Sequence, residues 1–363
     1  MRPSKKSILA ATLGTLAVVA GLSSAVAAEQ NSAMQRADDD MKRVLQKLEE
    51  LGAKPLGTQS VDATRKQPTP ADAVKAVLED QGKDPKQVMD EMGVITRDMS
   101  YETSGGTQPV RIFMPEGEAP QGGWPVIVYY HGGGWVIADI DTYAASAMGL
   151  AAEAEAVVAS VEYRHAPEHK FPAAHEDAFA AYQWALNNAD SFAGDAKRVA
   201  VAGESAGGNL AINTAIMARD NNVQMPEHML LIYPVAGTDT NTESYKENAD
   251  AVPLSRDAMQ WFVKHTISEP ADKQDPRLDV VGQADLKGLP DATVITAEID
   301  PLRSEGKALA DKLREAGSNV SYKNYDGVTH EFFGMAAVVE DAEKALEFAA
   351  DELESDLESA GKN

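Results

Sequence analysis

No cysteine occurs in the 363 residues. This excludes disulfides, thiol nucleophiles and thiolate metal sites together, so stability must come from a packed core, which a chain of this length can build. Basic residues are scarce: 33 Lys and Arg face 57 Asp and Glu, for a formal net charge of −24. Such a surface repels nucleic-acid phosphates and anionic membranes, so no nucleic acid is expected as a partner. No internal repeat is evident. What is present is globular in character: 44% hydrophobic and 25% charged residues argue against disorder.

The first residues resemble a targeting segment. Arg2, Lys5 and Lys6 precede a short apolar stretch from Ile8 to Gly21, and Ala25-Val26-Ala27-Ala28 offers a cleavage site of the A-x-A type. Residues 1–28 are read as a signal peptide, with export to the periplasm or the medium. The stretch is short and rich in Ala and Gly, which disfavours an uncleaved anchor. With no cysteine to carry a lipid, no stable membrane anchor is expected after cleavage.

From 34 to about 99 the chain is polar, low in β-branched residues and helical in pattern. Asp38-Asp39-Asp40 precede an i, i+3, i+4, i+7 apolar pattern through Met41, Val44, Leu45 and Leu48, closed by Gly52. A second helix is predicted from Thr69-Pro70, with Val74, Val77 and Leu78 on its apolar face. These narrow faces need a partner surface, so the segment is read as N-terminal cap helices packed on the domain C-terminal to them.

From 100 to 363 short apolar strands alternate with helices. Strands are predicted at Val110–Met114, Pro125–Tyr130, Ala156–Tyr163, Arg198–Ala202, Met229–Tyr233, Thr293–Ala297 and Val320–Tyr325. Helices are predicted around Ala173–Leu186, Ala206–Ala218, Leu302–Ala316 and Val339–Leu357. This alternation means an α/β fold with a mostly parallel sheet covered on both faces. A polar interval at about 237–288, with one helical patch at Asp257–Val263, breaks the pattern and is assigned to the same cap.

The chemistry centres on Gly203-Glu204-Ser205-Ala206-Gly207-Gly208, between a β-branched strand and a helix-like segment. A strand that turns sharply into a helix leaves little room for Cβ atoms and exposes Ser205 beside a helix N-terminus: a nucleophile elbow. A plain Gly/Ser loop closing a βα unit is the competing reading. In this fold the partners follow the serine as acid, then histidine. Asp300, after the strand Thr293–Ala297, and His330, after Val320–Tyr325, fall at strand ends on one sheet edge. Asp300 before Pro301 also suits a helix N-cap, and Glu298 and Asp326 are rival acids. An early loop, His131-Gly132-Gly133-Gly134-Trp135, offers backbone N–H groups to an oxyanion. Gly132 and Gly133 are expected to donate with Ala206, while His131, Gly134 and Glu204 support the loops. The lysine and spacing of a phosphate-binding loop are missing.

Together His131–Trp135, Gly203–Gly207, Asp300-Pro301-Leu302 and His330-Glu331-Phe332 resemble the hormone-sensitive-lipase-like, or family IV, bacterial esterases. Tyr163-Arg164-His165-Ala166-Pro167-Glu168 resembles that family's Tyr-Arg-Leu-Ala-Pro-Glu stretch, and the likeness runs from about Val110 to Gly334. The resemblance implies an α/β-hydrolase fold with a helical cap, and Ser205, Asp300 and His330 as a catalytic triad. It also implies a small-molecule ester substrate with a short acyl group, and pairing as a homodimer. An amidase, carbamate hydrolase or lactonase could use the same triad, and a binding protein on the same fold is a further alternative. Neither metal nor organic cofactor is expected. Two positions depart from the family: Glu204, expected to hydrogen-bond the elbow's backbone, and His165, read as a packing variant. Arg164 and Glu168 are read as an ion pair, His169 and His175 as a solvated helix entrance, and His228 and His265 as isolated.

Overall fold

The computed structural model describes residues 34–361, so the leader read at 1–28 lies outside the described residues. The chain enters through α1 (Asp39–Glu50), whose first turn carries Asp39 and Asp40 and whose last turn carries Lys47, each complementing the helix dipole. Helix α2 (Pro70–Asp80) starts on a reciprocal capping box between Thr69 and Asp72. Met41, Val44, Leu45 and Leu48 of α1 and Ala73, Val74, Val77 and Leu78 of α2 are buried in one cluster with Phe332 and Met335 of the body.

The helical reading of residues 94–99 is wrong. Val94–Thr103 is strand β1, paired antiparallel along its whole length with β2 (Gly106–Pro115) across a tight turn at Ser104-Gly105. The strand lies at the sheet edge with only Tyr101 buried, so it carries none of the alternation by which a strand is recognised. Its β-branched Val94-Ile95-Thr96 was the available signal.

The remaining strands are β3 (Trp124–Tyr130), β4 (Val157–Val161), β5 (Gly194–Glu204), β6 (His228–Ile232), β7 (Asp291–Ile299) and β8 (Val320–Thr329). They form one eight-stranded sheet ordered β1-β2-β4-β3-β5-β6-β7-β8, parallel from β4 onward. Both faces are covered. Val126, Val128 and Tyr130 of β3 enter one core with α4 (Ala173–Asn188), α5 (Ala206–Asp220) and α7 (Arg303–Ala316). Ile127 and Tyr129 enter the other with α3 (Ala144–Glu153) and α8 (Glu340–Ala360). Burial on both sides is why these strands read as unbroken apolar runs. Helix α3 is not among the helices predicted from sequence. It is buried almost all round and Ala-rich, so it shows no polar face to set a period.

The polar interval is more helical than its sequence indicates. Besides α6 (Arg256–Thr266), it holds short helical turns at Glu243–Glu247, Pro270–Gln274 and Val280–Gln283, and it lies over the same cavity as α1. Among the described residues no helix is long and apolar enough to cross a membrane.

Candidate active site

Ser205 occupies the turn between β5 and α5 at φ 58° and ψ −117°, a region an L-residue enters only when its surroundings hold it there. Its N–H donates to the Ile232 carbonyl at 2.9 Å, and its own carbonyl accepts from Asn209 and Val235 at 3.2 and 3.0 Å. The flanking glycines make room for this turn. A Cβ on Gly203 would strike the Gly207 carbonyl, and one on Gly207 would strike the Tyr130 carbonyl.

The ends of β7 and β8 bring two further side chains to this turn. His330 Nε2 lies 2.9 Å from Ser205 Oγ, and Nδ1 lies 2.7 Å from Asp300 Oδ2. Asp300 is not the helix cap its alternative supposed, since α7 starts at Arg303 with Leu302 as N-cap, but its Oδ1 accepts the Leu302 N–H at 2.8 Å in the turn that leads into that helix. The rival acids are engaged elsewhere. Glu298 accepts the Gly327 N–H, and Asp326 accepts from the Asn324 side chain. Burial pushes the His330 imidazolium toward deprotonation, but the carboxyl groups of Asp300, Glu331 and Glu204, Asp300 foremost, together leave the ring's pKa above its ordinary value. A hydroxyl, an imidazole and a buried carboxylate in this line can move a proton off the hydroxyl and stabilise the resulting cation.

The glycine loop closes the other side. Gly133 and Gly134 have φ of 93° and 59°, and the Gly133 carbonyl is held by the N–H groups of Val136 and Ile137 at 3.1 and 3.0 Å. Both glycines line a cavity of about 790 Å³ together with Ser205 and His330. Gly132, expected to donate, is set back from this wall. Its α-carbon faces the Tyr143 hydroxyl and the Glu204 carbonyl. Ala206 is the first residue of α5, where N–H groups have no intrahelical acceptor. Leu45 and Leu48 of α1 line the same cavity as Met259 and Phe262 of α6.

His131 is fully buried and stacks on Tyr163 at 4.4 Å between ring centroids. Its Nδ1 lies 2.8 Å from the Gly132 carbonyl and its Nε2 3.3 Å from Glu162. Burial disfavours its cation, but Glu162 holds its pKa above the ordinary value. Burial raises the Glu162 pKa, and the two histidines beside it bring the net result well below the usual carboxylate range. His165, read as a packing variant, is the second of those partners, with Nε2 3.1 Å from Glu162. Among the described residues, His131, Glu162 and His165 form a group whose ligand-type atoms converge within 4.8 Å, as a metal site would require. Here the carboxylate bridges two rings behind the glycine loop.

Other expectations need correction. Glu204 does not hydrogen-bond the elbow's backbone with its side chain. It is buried and accepts from the hydroxyls of Tyr129 and Tyr233 on the strands either side. Burial and then the nearby Glu331 push its carboxyl up to about 7. Arg164 pairs with Asp177 at 2.7 Å, whereas Glu168 pairs with Arg65 at 2.8 Å. His175 is buried, its Nε2 2.9 Å from Asn209 Oδ1, and burial lowers its pKa to about 4. His228 is likewise engaged, between Asp356 and Thr293. His265 rests against Trp261. Sequence reasoning also passed over Glu331, which lines the cavity beside His330 at positive φ. Its position next to a candidate histidine was the only signal.

The model of the alpha/beta hydrolase fold matches residues 127–334. The chain belongs to the α/β-hydrolases and, within them, to the hormone-sensitive-lipase-like carboxylesterases, and it is a carboxylic ester hydrolase. It is 39% identical over 276 residues to carboxylesterase NlhH of Mycobacterium tuberculosis, covering 73% of this chain and 83% of the relative. To the ethyl acetate hydrolase of Pseudomonas putida it is 32% identical, covering 84% of this chain and 92% of the relative. Among solved structures it resembles the hyperthermophilic esterase of the archaeon Pyrobaculum calidifontis. There the TM-score is 0.74 at 34% identity, over 86% of this chain and 96% of that one. A thermostable esterase from Pseudomonas putida gives a TM-score of 0.77 at 30% identity, over 89% and 98%.

Proposed function

We propose that this protein is an exported serine esterase that hydrolyses short-chain carboxylic esters through an acyl-enzyme on Ser205. The observation that carries the reading is the unbroken line from Ser205 Oγ through His330 to Asp300, at 2.9 and 2.7 Å. His330 takes the serine proton as Oγ attacks the ester carbonyl and returns it to the leaving alcohol. Asp300 fixes the tautomer and stabilises the imidazolium. The developing oxyanion sits against the backbone N–H groups of Gly133, Gly134 and Ala206. Each donor of this kind contributes about 3 kcal/mol to transition-state stabilisation. Gly133 and Gly134 line the cavity while Gly132 does not, which supports placing the donor pair one residue along the loop from the pair expected from sequence.

The preference for short acyl groups draws support from the ethyl acetate hydrolase among its relatives. The N-terminal helices and the polar interval act as a cap that shapes the acyl and alcohol sides. Export follows from the charged, apolar and small-residue pattern of residues 1–28.

A fluorophosphonate probe should label Ser205 in the native chain and leave Ser205→Ala unlabelled. A series of p-nitrophenyl esters of increasing acyl length should show kcat/KM highest for the shortest members. Turnover confined to long-chain emulsions would overturn the substrate class. Expression of the full chain with cell fractionation should recover a protein beginning at or near Glu29 outside the cytoplasm.

A further inference from the structure

Glu331 follows His330 directly and is held at φ 74° and ψ 5°. A residue with a Cβ seldom adopts this left-handed conformation, and glycine does so freely. The side chain does not turn away into solvent. The Tyr143 hydroxyl lies 2.7 Å from both carboxylate oxygens, and Oε1 stands 3.7 Å from His330 Nε2. Tyr143 precedes α3, and its hydroxyl also faces Gly132, so the carboxylate is clamped between the histidine loop and the glycine loop. Glu331 is 20% exposed and lines the cavity with Ser205 and His330. A gap of 3.7 Å is too long for a direct hydrogen bond. It suits one water molecule that donates a hydrogen to each side.

We propose that Glu331 is a positioning residue for the second half of the reaction, holding the hydrolytic water against His330 Nε2. The inference rests on the acyl-enzyme reading above. Once Ser205 Oγ is acylated, Nε2 has lost the serine proton donor. A water that donates to Nε2 and to Glu331 keeps its lone pairs for the acyl carbonyl carbon. The new C–O bond forms as His330 takes the proton. The bond from carbon to Ser205 Oγ then breaks, and the same proton passes from Nε2 to Oγ. The acid product leaves, and Glu331 remains an acceptor throughout with no net proton gained.

A merely architectural role, in which Glu331 only anchors Tyr143 and the glycine loop, would slow both halves of the reaction together. The two are separated by stopped-flow turnover of p-nitrophenyl acetate, with intact-mass analysis of the quenched protein. In Glu331→Gly, which relieves the positive φ, and in Tyr143→Phe, which releases the clamp, the burst rate should stay within about 3-fold of the native value. Steady-state turnover in Glu331→Gly should fall about 10-fold or more, with KM falling alongside kcat and the acetyl adduct accumulating on Ser205. Glu331→Gln, which keeps one acceptor oxygen, should fall between. Equal loss of both phases, or native turnover in Glu331→Gly, would overturn the assignment while leaving the triad intact. No adduct on Ser205 in any form, the native protein included, would remove the acyl-enzyme reading and this one with it.

Discussion

Asp300 divides its carboxylate between a ring and a turn: Oδ2 lies 2.7 Å from Nδ1 of His330, and Oδ1 accepts at 2.8 Å the N–H of Leu302, which precedes α7. The two bonds make separable demands, one for charge and one for an acceptor. Asp300→Asn can still accept the Leu302 N–H but would present an amide to Nδ1 and favour the wrong tautomer. Its kcat should fall by about 10⁴-fold with little change in melting temperature. Asp300→Ala should lose similar activity and also melt lower, because the Leu302 N–H is left buried without its acceptor. Parallel kinetics and thermal melts on the pair test this.

The pH profile reports on His330. Burial lowers its pKa, and Asp300 with the nearby Glu331 and Glu204 more than restores it, to above the ordinary 6.5. Nε2 accepts the Ser205 proton only when the ring is neutral. Activity is therefore present above the raised value and lost as the pH falls through it. The acid limb of kcat/KM for a neutral ester should lie above 6.5. A limb below that value would contradict the charge arrangement around the ring.

Glu204 links stability to pH in the opposite sense to a surface carboxylate. Its folded pKa, pushed up to about 7 by burial and by Glu331, exceeds the ordinary 4.5. Between those values the folded state holds a proton that the unfolded chain has released. The contribution is fully present below 4.5 and is lost as the pH rises through about 7. Glu204→Gln keeps the acceptor oxygen for one tyrosine hydroxyl and cannot ionise. The melting temperature of this variant relative to native should therefore be more favourable at about pH 8 than at about pH 5. A difference independent of pH would show that Glu204 is ionised or protonated throughout.

Arg65 fastens the N-terminal segment to the body. It donates to the carbonyls of Val136 and Ala166 at 2.8 and 2.9 Å and pairs with Glu168, and it also lines the cavity. Part-buried charge-assisted bonds to carbonyls contribute about 1.5 kcal/mol each, while the half-exposed Glu168 pair adds little. Arg65→Ala should destabilise the protein by about 2 to 3 kcal/mol in urea unfolding. It should also raise KM more than it lowers kcat, because it loosens a wall of the cavity and leaves the serine turn untouched. Glu168→Ala should have a small effect by the same measurements.

Much of the site was legible in the chain because local chemistry forces it. A serine flanked by glycines between a β-branched strand and a helix has few ways to sit, and Asp300 and His330 each follow a recognisable apolar strand. Less of its surroundings was legible. Glu204 was read against its own turn, yet its partners Tyr129 and Tyr233 come from neighbouring strands. Arg164 and Glu168 were read as an ion pair with each other, yet each takes a different partner, Asp177 and Arg65. The edge strand β1 escaped because it buries too little to carry a pattern.

By itself the sequence determined the mostly parallel sheet, the larger helices other than α3, the serine turn and the chain order of its acid and histidine. Each depends on residues within a few positions of one another, where backbone sterics and apolar period decide the outcome. The tertiary structure alone decided that Asp300 and not Glu298 or Asp326 reaches the ring, and that Gly133 and Gly134 rather than Gly132 form the cavity wall. It also decided that Glu331 is drawn back onto Tyr143 beside the reacting nitrogen. Those choices turn on side chains 30 to 188 residues apart meeting within hydrogen-bonding distance. Close packing of two cores against one sheet sets such distances, and no local rule contains them.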